Sequence, residues 1–199
     1  MADDQVFRWV LLAGALLVLP VAAYHRVRAH TGEKLDRRQE GLFILVTLRL
    51  LGLVGAVALV AFLINPAWMA WSAVPLPAWA RWAGVPVGVL GVTLLAWTLH
   101  HLGTNLTDTV VTRQRHTLVT TGPYRWVRHP FYVAFALALL ANALAAANWF
   151  LFAVGAAAIF LLAVRSRTEE AKLLERFGDD YRRYRERTGR FAPRVGVRR

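Results

Sequence analysis

Five apolar blocks, each close to the length needed to cross a bilayer, constrain this chain more than any other feature of its sequence. A membrane-spanning helix needs about 20 mostly apolar residues. The blocks are Phe7 to Tyr24, Leu42 to Ile64, Trp82 to His101, Phe131 to Ala147 and Trp149 to Val164. The last two are short and only Asn148 separates them, which predicts a tight hairpin with one or both helices continuing into polar sequence. The sequence therefore predicts an all-α integral membrane protein with about five transmembrane helices.

The first block resembles the apolar part of a signal peptide, but the residues before it do not fit one. Signal peptides begin with a positively charged region. Here Asp3 and Asp4 stand against Arg8. We therefore expect the first block to be a membrane span.

The formal net charge of +12 would, in a soluble domain, be typical of nucleic-acid binding. Nearly all of the 24 Lys and Arg residues, however, lie in the segments 25–41, 102–130 and 165–199, which five crossings place on one side of the membrane. The positive-inside rule then predicts an N-terminus outside and a C-terminus in the cytoplasm, with the bacterial-type inner (plasma) membrane as the expected location. The charge thus predicts orientation and attraction to membrane lipid, and no nucleic-acid partner.

Glycines in two of the blocks predict close contact between helices. Gly84 and Gly88 lie in the third block, and Gly52 and Gly55 lie in the second. Small residues let the backbones of membrane helices approach each other, so packing is the expected role of all four.

The segment Thr112 to Tyr132 combines basic, aromatic, histidine and turn-forming residues between two apolar blocks. Gly122-Pro123 predicts a turn. In His129-Pro130, the proline can begin the next helix and its predecessor should be extended. A histidine at a helix mouth suits a polar ligand that approaches from water. The alternative is that Arg125 and Arg128 only anchor a helix end at the lipid headgroups.

The polar sequence after the fifth block predicts helices that cover the central segment or lie on the membrane surface. Gly178 should end the first of them, and Asp179-Asp180 can begin a second. Arg165 and Glu169 are four residues apart and share one helix face. They either form a simple ion pair or face a ligand.

The composition excludes several site chemistries. The chain has no cysteine, so disulfides, thiolate nucleophiles and cysteine-based zinc sites are excluded. None of the six histidines shows the spacing of a helical metal site, and we expect no metal. A glycine-rich dinucleotide-binding motif is also absent from the sequence, so a cofactor would have to be held by loops and helix ends.

Motifs over about residues 105 to 193 resemble the isoprenylcysteine carboxyl methyltransferase family of integral-membrane enzymes. Each motif is weak alone, but their ordered set is specific. They are His116-Thr-Leu-Val119, Gly122-Pro-Tyr124, Arg128-His-Pro130, Tyr132, Glu169-Glu170, Phe177-Gly178, Tyr181 and Tyr184.

This resemblance implies an S-adenosyl-L-methionine-dependent methyltransferase with a lipophilic or prenylated methyl acceptor. It implies that Arg165 contacts the substrate. It implies cofactor contacts from a larger set, namely His116, Thr117, Leu118, Val119, Tyr124, His129, Pro130, Phe131, Tyr132 and Glu169. It also implies two parts of the chain, residues 1–104 with the first three helices and residues 105–199 with the methyltransferase core.

The chemistry of methyl transfer fits these residue types. A carboxylate acceptor is already ionised at neutral pH, so positioning can supply much of the acceleration. Arg165 can hold the carboxylate in its forked geometry, and the charge of Glu169 favours a cationic cofactor. For an amine, thiol or hydroxyl acceptor, His129 is the candidate general base. The catalytic candidates are therefore Arg165, Glu169 and His129.

Two other functions fit the same sequence. The first is a methyltransferase for phospholipids or other small lipids. The second is a membrane scaffold or transporter-like protein without catalysis, although the five blocks lack the acidic residues typical of proton-coupled transport.

Overall fold

Five α-helices form the protein in a computed structural model that describes residues 2–28, 42–103 and 117–194. Among these residues, four helices are long and apolar enough to cross a membrane, and α4 is a shorter apolar helix. No sheet strand occurs in the described part of the chain, so the predicted all-α membrane fold is confirmed. The helices are α1 (Ala2–Arg28), α2 (Leu42–Ile64), α3 (Ala78–Leu102), α4 (Pro130–Ala146) and α5 (Trp149–Arg187), with short 3-10 turns at Pro66–Ser72 and Gly122–Arg125.

The fifth helix extends far beyond its apolar block, as the polar continuation of the sequence predicted. It begins at Asn148, whose side chain accepts a hydrogen bond from the backbone N–H of Leu151 at 3.0 Å. It breaks at Gly178, where φ is 50° and ψ is −122°. Glycine adopts this positive φ without steric cost, which is why the break falls at this residue. A final helical segment then runs to Arg187.

Large apolar side chains on α1 and α2 face outward. Leu16, Leu17, Phe43 and Leu53 are all more than half exposed. Soluble proteins rarely expose contiguous apolar surface of this extent, whereas a bilayer solvates it. The burial pattern therefore agrees with the membrane fold.

Close contact between α3 and α4 depends on glycine. A Cβ atom added at Gly84 would lie 2.9 Å from the carbonyl oxygen of Ala141, and one at Gly91 would lie 3.1 Å from Cβ of Leu137. The packing role predicted for Gly84 is therefore confirmed. The same role predicted for Gly52 is wrong, because nothing lies within 4 Å of the position of an added Cβ there.

A network of buried polar side chains, the Arg81 network, joins the helices at one end of the bundle. Nε and Nη2 of Arg81 donate to the carbonyl of Ala145 at 3.0 and 2.9 Å, and Nη1 pairs with Asp4 at 2.9 Å. The amide of Asn148 donates to the hydroxyl of Ser72 at 2.7 Å. These contacts place the starts of α1, α3 and α5 and the end of α4 together, as alternating helix directions require.

Candidate functional site

The loop before α4 is built around a glycine that no other residue can replace without movement. Gly122 has a φ of 59°, and a Cβ at this position would lie 2.5 Å from the ring of His101 at the end of α3. Gly122 begins the 3-10 turn Gly122–Arg125 and Pro123 follows it, so a turn is present where one was predicted. Within the turn, the carbonyl of Tyr124 accepts a hydrogen bond from the hydroxyl of Tyr184 at 2.7 Å. The loop is thereby fixed to both α3 and α5.

Residues 188–194, which we call the C-terminal strap, run beside this loop. The backbone N–H of Arg128 donates to the carbonyl of Gly189 at 2.9 Å, and that of His129 donates to the carbonyl of Arg190 at 3.1 Å. The N–H of Gly189 returns a bond to the carbonyl of Trp126 at 3.1 Å. The strap therefore holds the main chain of the residues that enter α4.

His129 lies at the start of α4 with φ −124° and ψ 59°, which is non-helical as its place before Pro130 predicted but is not the extended conformation expected there. It is 7% exposed. Its Nδ1 lies 3.3 Å from Oε2 of Glu169, and its Nε2 lies 3.3 Å from Oε1 of Glu170. The ring stacks on Tyr132 with a centroid separation of 5.3 Å. Two consecutive carboxylates of α5 thus flank one imidazole.

The two carboxylates have different partners. Oε1 of Glu169 accepts a hydrogen bond from the hydroxyl of Tyr132 at 2.6 Å and lies 3.5 Å from Nε of Arg165. Glu170 is bound more completely, by Nε of Arg128 at 2.9 Å and by Nε and Nη2 of Arg190 at 3.1 and 2.7 Å. Glu170 is also the more buried of the two, with its side chain 5% exposed against 21% for Glu169.

Arg128 connects Glu170 to the strap. Its Nη1 donates to the carbonyl of Arg185 at 3.2 Å and also to the carbonyl of Thr188. Arg128 therefore does more than anchor a helix end at the headgroups, since its guanidinium is turned inward to a carboxylate and to backbone acceptors.

The charges around His129 favour its protonated form. Burial by itself lowers the pKa of the imidazole, but hydrogen bonds and attraction from Glu169 and Glu170 outweigh burial, so the net pKa is raised. A neutral imidazole can donate through only one of its nitrogens, whereas the imidazolium can donate to both carboxylates. The geometry and the pKa direction therefore agree.

The structure brings together four of the residues that the sequence analysis selected, His129, Tyr132, Arg165 and Glu169. Pro130 is buried at the start of α4, and Phe131 lies beside Tyr132 with ring centroids 6.3 Å apart. Thr117, Leu118 and Val119 belong to the irregular segment before the turn Gly122–Arg125. Tyr124 belongs to the turn itself and is buried. His116 lies outside the described residues. The roles assigned to all these residues remain predictions.

Sequence analysis gave no site role to Glu170, Arg190 or Thr188. The pair Glu169-Glu170 was visible as a motif, but only the first carboxylate received a role. Nothing in the sequence around Arg190 indicates that it reaches back twenty residues to Glu170, because the strap has no helical or strand periodicity.

Fold and site together define a helical membrane protein with a polar, partly titratable cluster at one end of its bundle. Comparison with known proteins shows which family this protein resembles. Residues 84–175 match the model of the isoprenylcysteine carboxyl methyltransferase (ICMT) family, so the resemblance carried by the motifs is confirmed. His129, Arg165, Glu169 and Glu170 all fall inside the matched segment.

Individual relatives are named as methyltransferases with different acceptors. The chain is 41% identical over 70 residues to a methanethiol S-methyltransferase of Mycobacterium tuberculosis, which is 35% of this chain and 28% of that protein. It is 34% identical over 103 residues to a protein-S-isoprenylcysteine O-methyltransferase of Schizosaccharomyces pombe, which is 49% of this chain and 43% of that protein. The chain thus spans less than half the length of either relative.

A solved structure has a similar fold. It is a eukaryotic intramembrane Ras methyltransferase ICMT, and it superposes with a TM-score of 0.53 at 29% sequence identity. The match covers 59% of this chain and 43% of that one.

Proposed function

We propose that this protein is a membrane methyltransferase that transfers a methyl group from S-adenosyl-L-methionine to a lipophilic acceptor at the His129 site. The observation that carries the proposal is the buried imidazole of His129 between Glu169 and Glu170, inside the segment that matches the family. A cluster of this kind positions charged groups at the end of a membrane helix, where a polar cofactor and a lipid can both reach it.

The exposed fractions of the two carboxylates support Glu169 as the cofactor contact. Glu170 is enclosed by two guanidinium groups, whereas Glu169 keeps a partly exposed side chain beside Tyr132. A carboxylate suits the ammonium and ribose hydroxyl groups of the cofactor. His129, Pro130, Phe131 and Tyr132 would hold the rest of it with the segment 116–119 and Tyr124. When bound, the cofactor supplies a methyl group activated by a sulfonium.

Arg165 is the proposed contact for a carboxylate acceptor. Its Nε lies one helical turn from Glu169 and 3.5 Å from that carboxylate, which is too long for a strong hydrogen bond. The planar guanidinium can hold an acceptor carboxylate through two parallel N–H groups. Because that acceptor is already ionised, the site has to orient it and exclude water rather than remove a proton.

Methylation of a small thiol is a second candidate, favoured by two relatives. Besides the mycobacterial protein, a methanethiol S-methyltransferase 1 of Bradyrhizobium diazoefficiens is 37% identical over 70 residues, 35% of this chain and 24% of that protein. A thiol loses its proton when it becomes a thioether, so this reaction needs a base. His129 is then the proposed general base.

One experiment separates these candidates from each other and from a protein without catalysis. The detergent-purified protein and its His129→Gln variant are incubated with methyl-labelled S-adenosyl-L-methionine and, in turn, a prenylated cysteine with a free carboxylate, a phospholipid and a short alkanethiol. Transfer to the prenylated cysteine supports the first candidate. If the wild type methylates the thiol and the His129→Gln variant does not, the second candidate is supported. Binding of S-adenosyl-L-methionine to the same protein is measured by calorimetry. If no binding is detected, both methyltransferase candidates are refuted.

We further propose that the site faces the cytoplasm from the inner membrane, with the N-terminus outside. Since the chain has no cysteine, single cysteines at exposed Arg125 and at Trp68 on the opposite end report sidedness cleanly. The proposal expects an impermeant thiol reagent to label Trp68→Cys from outside intact cells. If the reagent instead labels Arg125→Cys from outside intact cells, the orientation is the reverse of the one proposed.

A further inference from the structure

Arg190 contacts both members of the His129–Glu170 pair. Its carbonyl accepts the backbone N–H of His129 at 3.1 Å. Its guanidinium donates to both oxygens of Glu170, through Nε at 3.1 Å and Nη2 at 2.7 Å. The next residue, Phe191, packs on the imidazole with ring centroids 5.7 Å apart. One strap residue is therefore bonded to both the backbone of the histidine and its carboxylate partner.

The fork of Arg190 determines how the Glu170 carboxylate is oriented. Arg128 and His129 both approach Oε1 of Glu170, whereas Nη2 of Arg190 binds Oε2. A guanidinium bound to both oxygens fixes the plane of a carboxylate, which a single contact cannot do. With that plane fixed, Oε1 is held toward Nε2 of His129.

We propose that Arg190 is a positioning residue of the candidate site, which fixes the plane of the Glu170 carboxylate and thereby the place of the His129 ring. This inference rests on the proposed function, because it assigns Arg190 a part in methyl transfer through His129 and Glu170.

The charges that face His129 give the proposal a specific signature. Glu169 and Glu170 face the ring from α5, the hydroxyl of Tyr132 lies on α4, and the cations of Arg128, Arg165 and Arg190 oppose the carboxylates. Removing the Arg190 cation leaves Glu170 less neutralised. The pKa of His129 should then rise further, since the carboxylate attracts the imidazolium more strongly. If the substitution only loosened the strap, Glu170 and His129 would move apart, and the pKa of His129 would not rise.

The test compares Arg190→Gln and Arg190→Lys with Arg194→Gln. Arg194 lines a surface cavity together with Arg190, but its guanidinium donates to the backbone carbonyls of Arg185 and Glu186 at 3.4 and 2.7 Å. Its loss therefore removes the same charge without touching Glu170. For each variant, the His129 pKa is measured by NMR of labelled histidine, and kcat and KM are measured for methyl transfer.

We expect Arg190→Gln to raise the His129 pKa and to lower kcat on the order of tenfold, as the loss of a charge-assisted hydrogen bond predicts. Arg190→Lys keeps the charge without the fork, so it should leave the pKa near that of the wild type and still lower kcat. Arg194→Gln should resemble the wild type in both measurements.

Equal pKa and kcat in Arg190→Gln and Arg194→Gln would overturn the proposal. If Arg190→Gln does not fold, Arg190→Lys decides, because wild-type kcat in that variant shows that the fork is not required. The NMR titration needs no turnover. A raised pKa in Arg190→Gln of a protein that transfers no methyl group would therefore support the charge contact of Arg190 with the Glu170–His129 pair while refuting the proposed function.

Discussion

At one end of the helical bundle Arg81 is buried among helix ends, and at the other end His129 is buried to the same 7% exposure. Arg81 gives its N–H groups to fixed acceptors, a backbone carbonyl and Asp4. His129 has two carboxylates for one imidazole, and three arginines surround those carboxylates. The first network contains one permanent cation, whereas the second can gain or lose a proton at its centre.

This difference separates structure from chemistry in a membrane protein. Buried polar groups at a helix end are expected wherever backbone carbonyls need donors. A cluster whose members are titratable side chains bonded mainly to each other costs more desolvation energy than the closing of a helix end requires, so it points to a function. Substitutions at the two ends should consequently separate stability from activity.

The largest effect is expected from Arg81→Ala. The change removes the donor to the carbonyl of Ala145 and the ion pair of Arg81 with Asp4, which should reduce the free energy of unfolding by about 3 kcal/mol. Cofactor affinity of the protein that remains folded should stay unchanged. Thermal unfolding in detergent and calorimetry measure the two quantities. Arg8→Ala, at the same end but on the surface side of α1, is the control and should be nearly neutral.

Next in size is Glu169→Gln, which should act on binding rather than on folding. The loss of a charged contact to the cofactor should weaken its binding by about 2 kcal/mol, roughly thirtyfold. Arg165→Ala should leave that affinity nearly intact and suppress transfer to a carboxylate acceptor. Glu175→Gln is the control, because Glu175 is an exposed residue of the same helix.

If Arg165 and Glu169 only pair with each other, both substitutions should cost about 0.2–0.5 kcal/mol of stability and change neither binding nor turnover. A large loss of cofactor binding in Arg165→Ala alone would reverse the two roles.

A smaller effect is expected from Asn148→Ala, which sharpens the comparison at the first end. The substitution removes the cap of α5 and the donor to Ser72, so it should cost about 1 kcal/mol of stability, with methyl transfer unchanged. Asn65→Ala removes a similar but exposed cap, that of the turn Pro66–Ser72, and should cost less. A loss of turnover in Asn148→Ala at unchanged stability would contradict the assignment of this end to structure.

The mildest perturbation is a change of pH, which acts on the imidazole of His129 at the second end. Because the folded-state pKa of His129 is raised, its contribution to stability is complete below the unfolded value of about 6.5 and disappears as the pH rises through the folded value. As the pH rises from about 6.5 through the folded-state pKa of His129, the free energy of unfolding of the wild type should therefore fall relative to that of His129→Gln. Parallel unfolding curves for the two proteins would show that His129 does not carry the charge.

Local sequence signals were enough to predict the helices. Apolar length placed all five, and Gly178 was identified as a break because a positive φ there favours glycine. The family resemblance assigned His129 and Glu169 to one cofactor site, but it did not predict their direct contact. The bonds of Glu170 to Arg128 and Arg190 span 42 and 20 residues and depend on the path of the strap. Such contacts have no local periodicity, so only the folded chain reveals them.

One continuous helix connects the two ends. From Leu151, beside the Arg81 network, α5 rises about 29 Å to Glu170 at 1.5 Å per residue, which is close to the hydrocarbon thickness of a bilayer. The far end of this helix carries both carboxylates, so a change in the direction of the helix axis moves them. Membrane helices adjust to bilayer thickness by tilting. A tilt of a few degrees moves the end of a helix of this length by more than an ångström. A change in bilayer thickness that altered the tilt of α5 relative to α4 would therefore change the distance between His129 and the two carboxylates.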